Sequence, residues 1–255
     1  MIKSAVRQVI FYTLLIVIWQ CVFHLGTSVF NCWKPYAFPN PAGVRQSLVM
    51  MARQNLLFTV IYCSLRRAFA GFLLAVIIGA AVGLVLARFR ALSATVKPLI
   101  LGIQSLPSVC WVPFAILWFG LTERSILFVV IMGSAFSISI AVESAVRNIN
   151  PLYINAAKTM GAKGRTLYLR VMLPASLPSL ITGLKQGWSF AWRALMSAEV
   201  MSATVGLGQT LMMGRDLADI NRVMLIILTI IIIGVLIEKL VFSMSEEWVL
   251  KRIGL

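Results

Sequence analysis

Lys185, Arg193 and Glu199 stand inside an apolar stretch, residues 179–201, where charge is expensive. A charged side chain at mid-bilayer costs about 2.5–3.5 kcal/mol on insertion scales, so such residues face a cavity or the inside of a helix bundle. A guanidinium in that setting attracts anions, which makes Arg193 a candidate for the wall of a translocation path. Arg193 and Glu199 are six positions apart. At about 100° per residue they do not share a helix face, so each needs its own partner. Lys185 lies near one end of the stretch and can extend its head to the interface.

The other reactive residue types form no constellation. Cys21, Cys32, Cys63 and Cys110 show no C-x-x-C spacing and read as small apolar fillers, with no metal or disulfide framework. His24 is the one histidine, with no H-E-x-x-H, and reads as an interfacial residue. A phosphate loop, G-x4-G-K-[ST], is absent; Gly161-Ala162-Lys163-Gly164-Arg165-Thr166 lacks its spacing and no strand precedes it. The chain therefore reads as a non-enzyme with no cofactor and no metal. A stand-alone secondary transporter would show inverted repeats and buried coupling carboxylates. Only Glu143, Glu199 and Glu238 lie in or near apolar runs, two of them close to run ends.

A polar loop, 147–175, separates two apolar runs. Asn150 is a good N-cap and Pro151 suits the first helical position. Residues 152–160 can then form a short helix, and Gly161 can take the left-handed conformation that ends it. Such a helix is marginal alone in water and needs something to pack against. Ala156 and Ala157 offer a flat, close-approach face. Lys158, Lys163, Arg165 and Arg170 equally suit an ordinary basic loop on the inner side of a membrane.

The elements that position these residues follow from composition. Of 255 residues 60% are hydrophobic, with a mean hydropathy of +0.93. A membrane helix needs about 20 apolar residues. Residues 9–29, 68–87, 98–120, 125–145, 179–201 and 223–242 meet that length, which predicts an all-α membrane protein with six transmembrane helices. Two-residue alternation is absent, against a β-barrel. The first run is longer than a signal-peptide core and lacks an A-x-A-like site, so it reads as an uncleaved anchor. With both termini inside, Lys and Arg are more frequent in inner segments than in outer ones. The net charge of +15 thus reads as lipid-facing, with no nucleic acid required.

Within the second run Gly71, Ala75, Gly79, Gly83 and Ala87 recur every four residues, a seam for close helix packing. Gly183, Gly187 and Ala191 form a similar stripe in the fifth. Pro107 and Pro113 are expected to bend the third run, and a bent helix can serve as a pore wall. Pro35, Pro39, Pro41 and Gly43 stop helices after the first run. Residues 43–63 then read as an interfacial helix on the outer surface.

The loop reads N-A-A-K-T-M-G from Asn155 to Gly161, followed by Val171, Leu173 and Pro174. It resembles the E-A-A-x3-G-x9-I-x-L-P coupling loop of binding-protein-dependent ABC importer permeases. Residues 106–120, L-P-S-V-C-W-V-P-F-A-I-L-W-F-G, are similar to a P-x5-P-x-x-I-L-W-F-G segment of the nitrate/sulfonate/taurine/bicarbonate branch. Phe38-Pro39-Asn40-Pro41, Ser64-Leu65-Arg66-Arg67 with Gly71-Phe72, and Ala198-Glu199 with Gly206-Leu207-Gly208 resemble further pieces of that branch, in the same order.

The resemblance implies a type I (MetI-like) ABC importer permease in the bacterial inner membrane. It divides the chain into an anchor (1–30), an external proline-rich segment with an interfacial helix (31–63), the transmembrane domain (64–246) and a cytoplasmic tail (247–255). It implies a homodimer, two ABC ATPase subunits docked at Asn155, Ala156, Ala157, Gly161, Leu173 and Pro174, and an external solute-binding protein. Arg193, Glu199, Pro107 and Pro113 become candidates for the translocation path. Asn155 stands where the family carries Glu, so an ion pair made there is lost while hydrogen bonding is kept. The branch points to a small anion such as a sulfonate or nitrate; an uncharged heterocycle such as a pyrimidine precursor stays open.

Overall fold

The structure, a computed structural model, describes residues 2–30, 33–34 and 37–253. Cys32 and Pro35, and the last two residues of the expected tail 247–255, lie outside the described residues. Among the described residues there are helices and no strands. In chain order the helices are α1 (Ile2–His24, continued by a π turn to Val29), α2 (Pro41–Arg53), α3 (Leu56–Arg88), α4 (Arg90–Gln104), α5 (Trp111–Phe119), α6 (Glu123–Arg147), α7 (Pro151–Thr159), α8 (Gly164–Leu167), α9 (Leu173–Val200), α10 (Leu207–Asp216), α11 (Ile220–Ile237) and α12 (Met244–Ile253). Five segments are long and apolar enough to span a bilayer, and α4 with α5 makes a sixth, broken span.

That broken span differs from expectation. Residues 98–120 do not form one kinked helix; the chain turns by 90° between α4 and the segment Ser108–Phe119. Pro107 explains the break. It disfavours helical geometry at Leu106, and its own N–H is missing. The residue sits in extended geometry before a 3₁₀ turn over Ser108–Cys110. Pro113 falls in the first turn of α5, where no N–H is needed, and bends nothing.

The interfacial helix also ends earlier than expected. Asn40 caps α2 by accepting from the Ala42 N–H at 3.0 Å, and the helix stops at Arg53. Asn55, at φ +55°, turns the chain directly into α3. The 33 residues of α3 span about 50 Å at 1.5 Å per residue, more than the roughly 30 Å of a hydrocarbon core.

Helix α6 is the centre of the bundle, packed between α3 and α9. Gly71, Ala75, Gly79 and Gly83 are all buried against it. A Cβ at Gly79 would stand 2.7 Å from the Ala135 carbonyl oxygen, and one at Gly83 2.5 Å from that of Ser139. On the other side Gly183 and Gly187 face Ala141 and Ile138. Lipid tails give helices no hydrophobic reason to associate, so this close approach is what holds the three together. Because backbone cannot yield as a side chain does, Gly79→Val is expected to cost about 1–3 kcal/mol or more. A clear drop in the thermal midpoint in detergent checks this; an unchanged midpoint contradicts the seam.

Candidate functional site

Helix α7 forms as its residues dictate. The Asn150 side chain accepts from the Leu152 N–H at 2.9 Å, and Pro151 occupies the first turn. The end is a Schellman motif: the Gly161 N–H donates to the Lys158 carbonyl at 2.9 Å and the Ala162 N–H to that of Ala157 at 2.9 Å. This requires Gly161 at φ +84°, where an L side chain is strained. The two alanines separate. Ala157 is buried, 3% exposed, facing its own chain, while Ala156 lies on the open side. Leu152 is 68% exposed and Met160 82%, and Tyr153 is exposed beside them. At helical spacing these residues and Ala156 share one arc, an apolar face with nothing of this chain upon it. Asn155 is exposed next to that face; its carbonyl accepts from the Thr159 hydroxyl at 3.0 Å. Leu173 and Pro174 start α9, and Leu173 is exposed there.

The last turn of α6, which leads into α7, is clamped. Glu143 is buried and pairs with Lys97 at 2.7 Å and with Arg147 at 2.9 Å, and accepts from the Ser93 hydroxyl at 3.1 Å. Arg147 also donates to the Leu86 carbonyl at 2.7 Å. The ends of α3, α4 and α6 are thus tied together. The i,i+4 spacing of Glu143 and Arg147 was visible in sequence; Lys97 and Ser93, on another helix, gave no signal.

Arg193 is exposed on α9 and lies over the Phe190 ring, its guanidinium carbon 4.7 Å from the centroid, in cation–π contact. Its Nε donates to the Ser189 carbonyl at 3.1 Å. It opens into a cavity of about 610 Å³, which Pro107 and Trp111 also line. The structure thus brings Arg193 and Pro107 together. Glu199 and Pro113 line neither this cavity nor a second one toward α7.

Glu199 instead occupies a closed polar knot at the opposite end of the bundle from α7. It accepts from Arg67 at 3.0 Å, from the Ser64 hydroxyl at 2.7 and 2.9 Å, and from the Gly208 N–H at 3.0 Å. Arg67 also pairs with Glu123 at 2.9 Å and donates to the Val205 carbonyl at 2.8 Å. A Cβ at Gly206 would stand 2.5 Å from the Glu199 carboxylate and would push it out of place. The sequence showed that Glu199 needs a partner but not that Arg67, on α3, supplies it.

Such a bundle defines a class: a multi-span helical membrane protein with a cavity-lining cation and an apolar helix projecting outside its spans. Residues 71–253 match the family described as binding-protein-dependent transport system inner membrane component. The chain belongs to that family and is an ABC importer permease. A putative ABC transporter permease of Methanocaldococcus jannaschii is 34% identical over 69% of this chain, which covers 66% of that relative, just under two thirds. The bicarbonate transport system permease protein CmpB of Synechococcus elongatus is 30% identical over 77% of this chain and 70% of its own length. The putative aliphatic sulfonates transport permease protein SsuC of Bacillus subtilis is 25% identical over 91% and 83%. Among solved structures, a chain of the inward-facing MetNI methionine ABC transporter aligns with a TM-score of 0.64 at 22% identity, covering 78% of this chain and 98% of that one, a likeness of fold.

Proposed function

We propose that this permease conducts a small anion delivered by an external binding protein, through a path that Arg193 lines, and that α7 docks on a separate ATPase subunit on the cytoplasmic side. The observation that carries the anion reading is the lining of the two cavities. Among the described residues that line them Arg193 is the one charged side chain; the nearby carboxylates Glu143 and Glu246 stand behind Ser144 and Thr182 of the second cavity, accepting from each hydroxyl at 3.4 Å. A cation in a polar, water-accessible space favours a negative solute. The relatives named for bicarbonate and aliphatic sulfonates handle anions, which points the same way. A homodimer, with the path between two copies and both termini cytoplasmic, completes the reading.

A charge-assisted hydrogen bond contributes about 1.5–3 kcal/mol. Arg193→Ala is therefore expected to lower uptake of the transported anion by about tenfold or more, with Arg193→Lys retaining part of it. Uptake of labelled nitrate, bicarbonate and short alkyl sulfonates by the reconstituted transporter measures this. Uptake at the wild-type rate in Arg193→Ala would reject the assignment.

A further inference from the structure

Two cavities lie along one side of the α6–α9 pair. The first, described above, holds Arg193. The second, about 650 Å³, lies toward α7 and has no charged residue among its described lining; the Glu143 and Glu246 carboxylates stand behind Ser144 and Thr182. Its polar wall is made by Ser137, Ser144 and Asn148 on and after α6, and by Ser179, Thr182 and Gln186 on α9. Along α9 the wall positions 179, 182, 186, 190, 193 and 197 follow one another at three- and four-residue steps, so a single helix face serves both cavities. Among the described residues Gln104 alone lines both. It is the last residue of α4, directly before the 90° turn of the broken span. Its Oε1 is buried with no hydrogen-bond partner, so this chain does not fix its amide.

We propose that Gln104 is the neck of a two-chamber anion path, passing the solute from the Arg193 chamber into an uncharged release chamber. The inference rests on the anion reading above and adds the residue and the order of sites. Passage needs binding strong enough to admit the ion and weak enough to let it go. A second cation beyond Arg193 would trap an anion. Hydroxyls and amides replace part of its hydration shell without holding it. An amide at the neck offers N–H donors to an oxyanion of either chamber and adds no charge of its own. The class of solute this suits is a compact, monovalent oxyanion.

Cysteine modification of the assembled transporter in proteoliposomes tests this without the natural solute. Cys21, Cys32, Cys63 and Cys110 are first replaced by Ser. Single cysteines are then placed at Ser197 (Arg193 chamber), Gln104 (neck) and Thr182 (release chamber). The probes are anionic 2-sulfonatoethyl and cationic 2-(trimethylammonium)ethyl methanethiosulfonate, with rates normalised to a free thiol. Ser197→Cys and Gln104→Cys are expected to favour the anionic reagent by about tenfold or more, and Arg193→Gln should abolish that preference. Thr182→Cys should react with both reagents and show no preference for the anionic one, since the Glu246 carboxylate lies beside it. If Ser197→Cys shows no preference, the anion reading itself fails. If Ser197→Cys shows it but Gln104→Cys is unreactive or indifferent, or Thr182→Cys is unreactive, the neck is overturned while the anion reading stands. As a second measurement, Gln104→Glu should lower anion uptake by about tenfold, since it sets like charge in the path. Undiminished uptake in Gln104→Glu overturns the proposal too.

Discussion

Leu152→Glu combined with Met160→Glu is expected to leave the permease folded and to release its ATPase subunit. Both side chains project from α7 and touch nothing that would hold them, at 68% and 82% exposure. Burying one such side chain contributes about 1.5–3 kcal/mol. Each loss therefore weakens docking by roughly 10- to 100-fold, and a carboxylate in an apolar groove adds a desolvation cost. The two together should abolish retention of the ATPase on tagged permease, and transport with it. The thermal midpoint of the permease alone should not move, because Ala157 and Ile149, which do pack inward, are untouched. Equal retention by the double variant would show that the face of α7 carrying Leu152, Tyr153, Ala156 and Met160 is not the contact.

The second large effect is on folding. Glu199→Ala removes a fully buried carboxylate and leaves Arg67, 4% exposed, with only the half-exposed Glu123 as a charge partner. The Gly208 N–H loses its acceptor and the Ser64 hydroxyl its carboxylate. Removing one member of a buried pair costs about 3–5 kcal/mol, most of it from the charge left behind. That is a large share of the stability of an ordinary domain. Glu199→Ala should therefore fail to accumulate as a monodisperse protein. Glu199→Gln, which keeps an acceptor, should lose less. Arg67→Met with Glu199→Met should recover part of the loss, as apolar replacements of buried pairs do. Thermal unfolding in detergent orders the three variants. A Glu199→Ala midpoint equal to that of the parent would mean that the knot does not hold α3, α9 and the segment before α10 together.

These two sites differ in how far sequence reveals them. The start and end of α7 are local: Asn150, Pro151 and Gly161 act on their own backbone within a few residues, so spacing alone predicts the cap, the helix and the left-handed stop. The packing seam of α3 is also local in origin, because a four-residue period places Gly71, Ala75, Gly79 and Gly83 on one face whatever they meet. The knot is not local. Arg67 on α3 and Glu199 on α9 stand 132 positions apart, and nothing in either neighbourhood names the other. The third span shows both limits. Pro107 marks the break, but the 90° turn is set by how α4 and α5 pack on α6. The two alanines of the loop show another. Adjacent residues on a helix point about 100° apart, so only the packing of α7 decides which faces outward. The polar residues Ser179, Thr182, Gln186, Arg193 and Ser197 on one face of α9 are visible as a spacing. Yet Thr182 also bonds back to the Pro178 carbonyl at 3.1 Å, so a hydroxyl in a membrane helix marks a cavity only once the cavity is known.

The central claim is that α7 presents its apolar face to the ATPase. Site-specific photocrosslinking in the native membrane tests it most directly. A benzophenone amino acid at position 160 should yield one product, the permease joined to the ATPase subunit. The same group at Leu117, 80% exposed on α5 of the broken span, should yield none. A crosslink to the ATPase from position 117 and none from 160 would contradict the account.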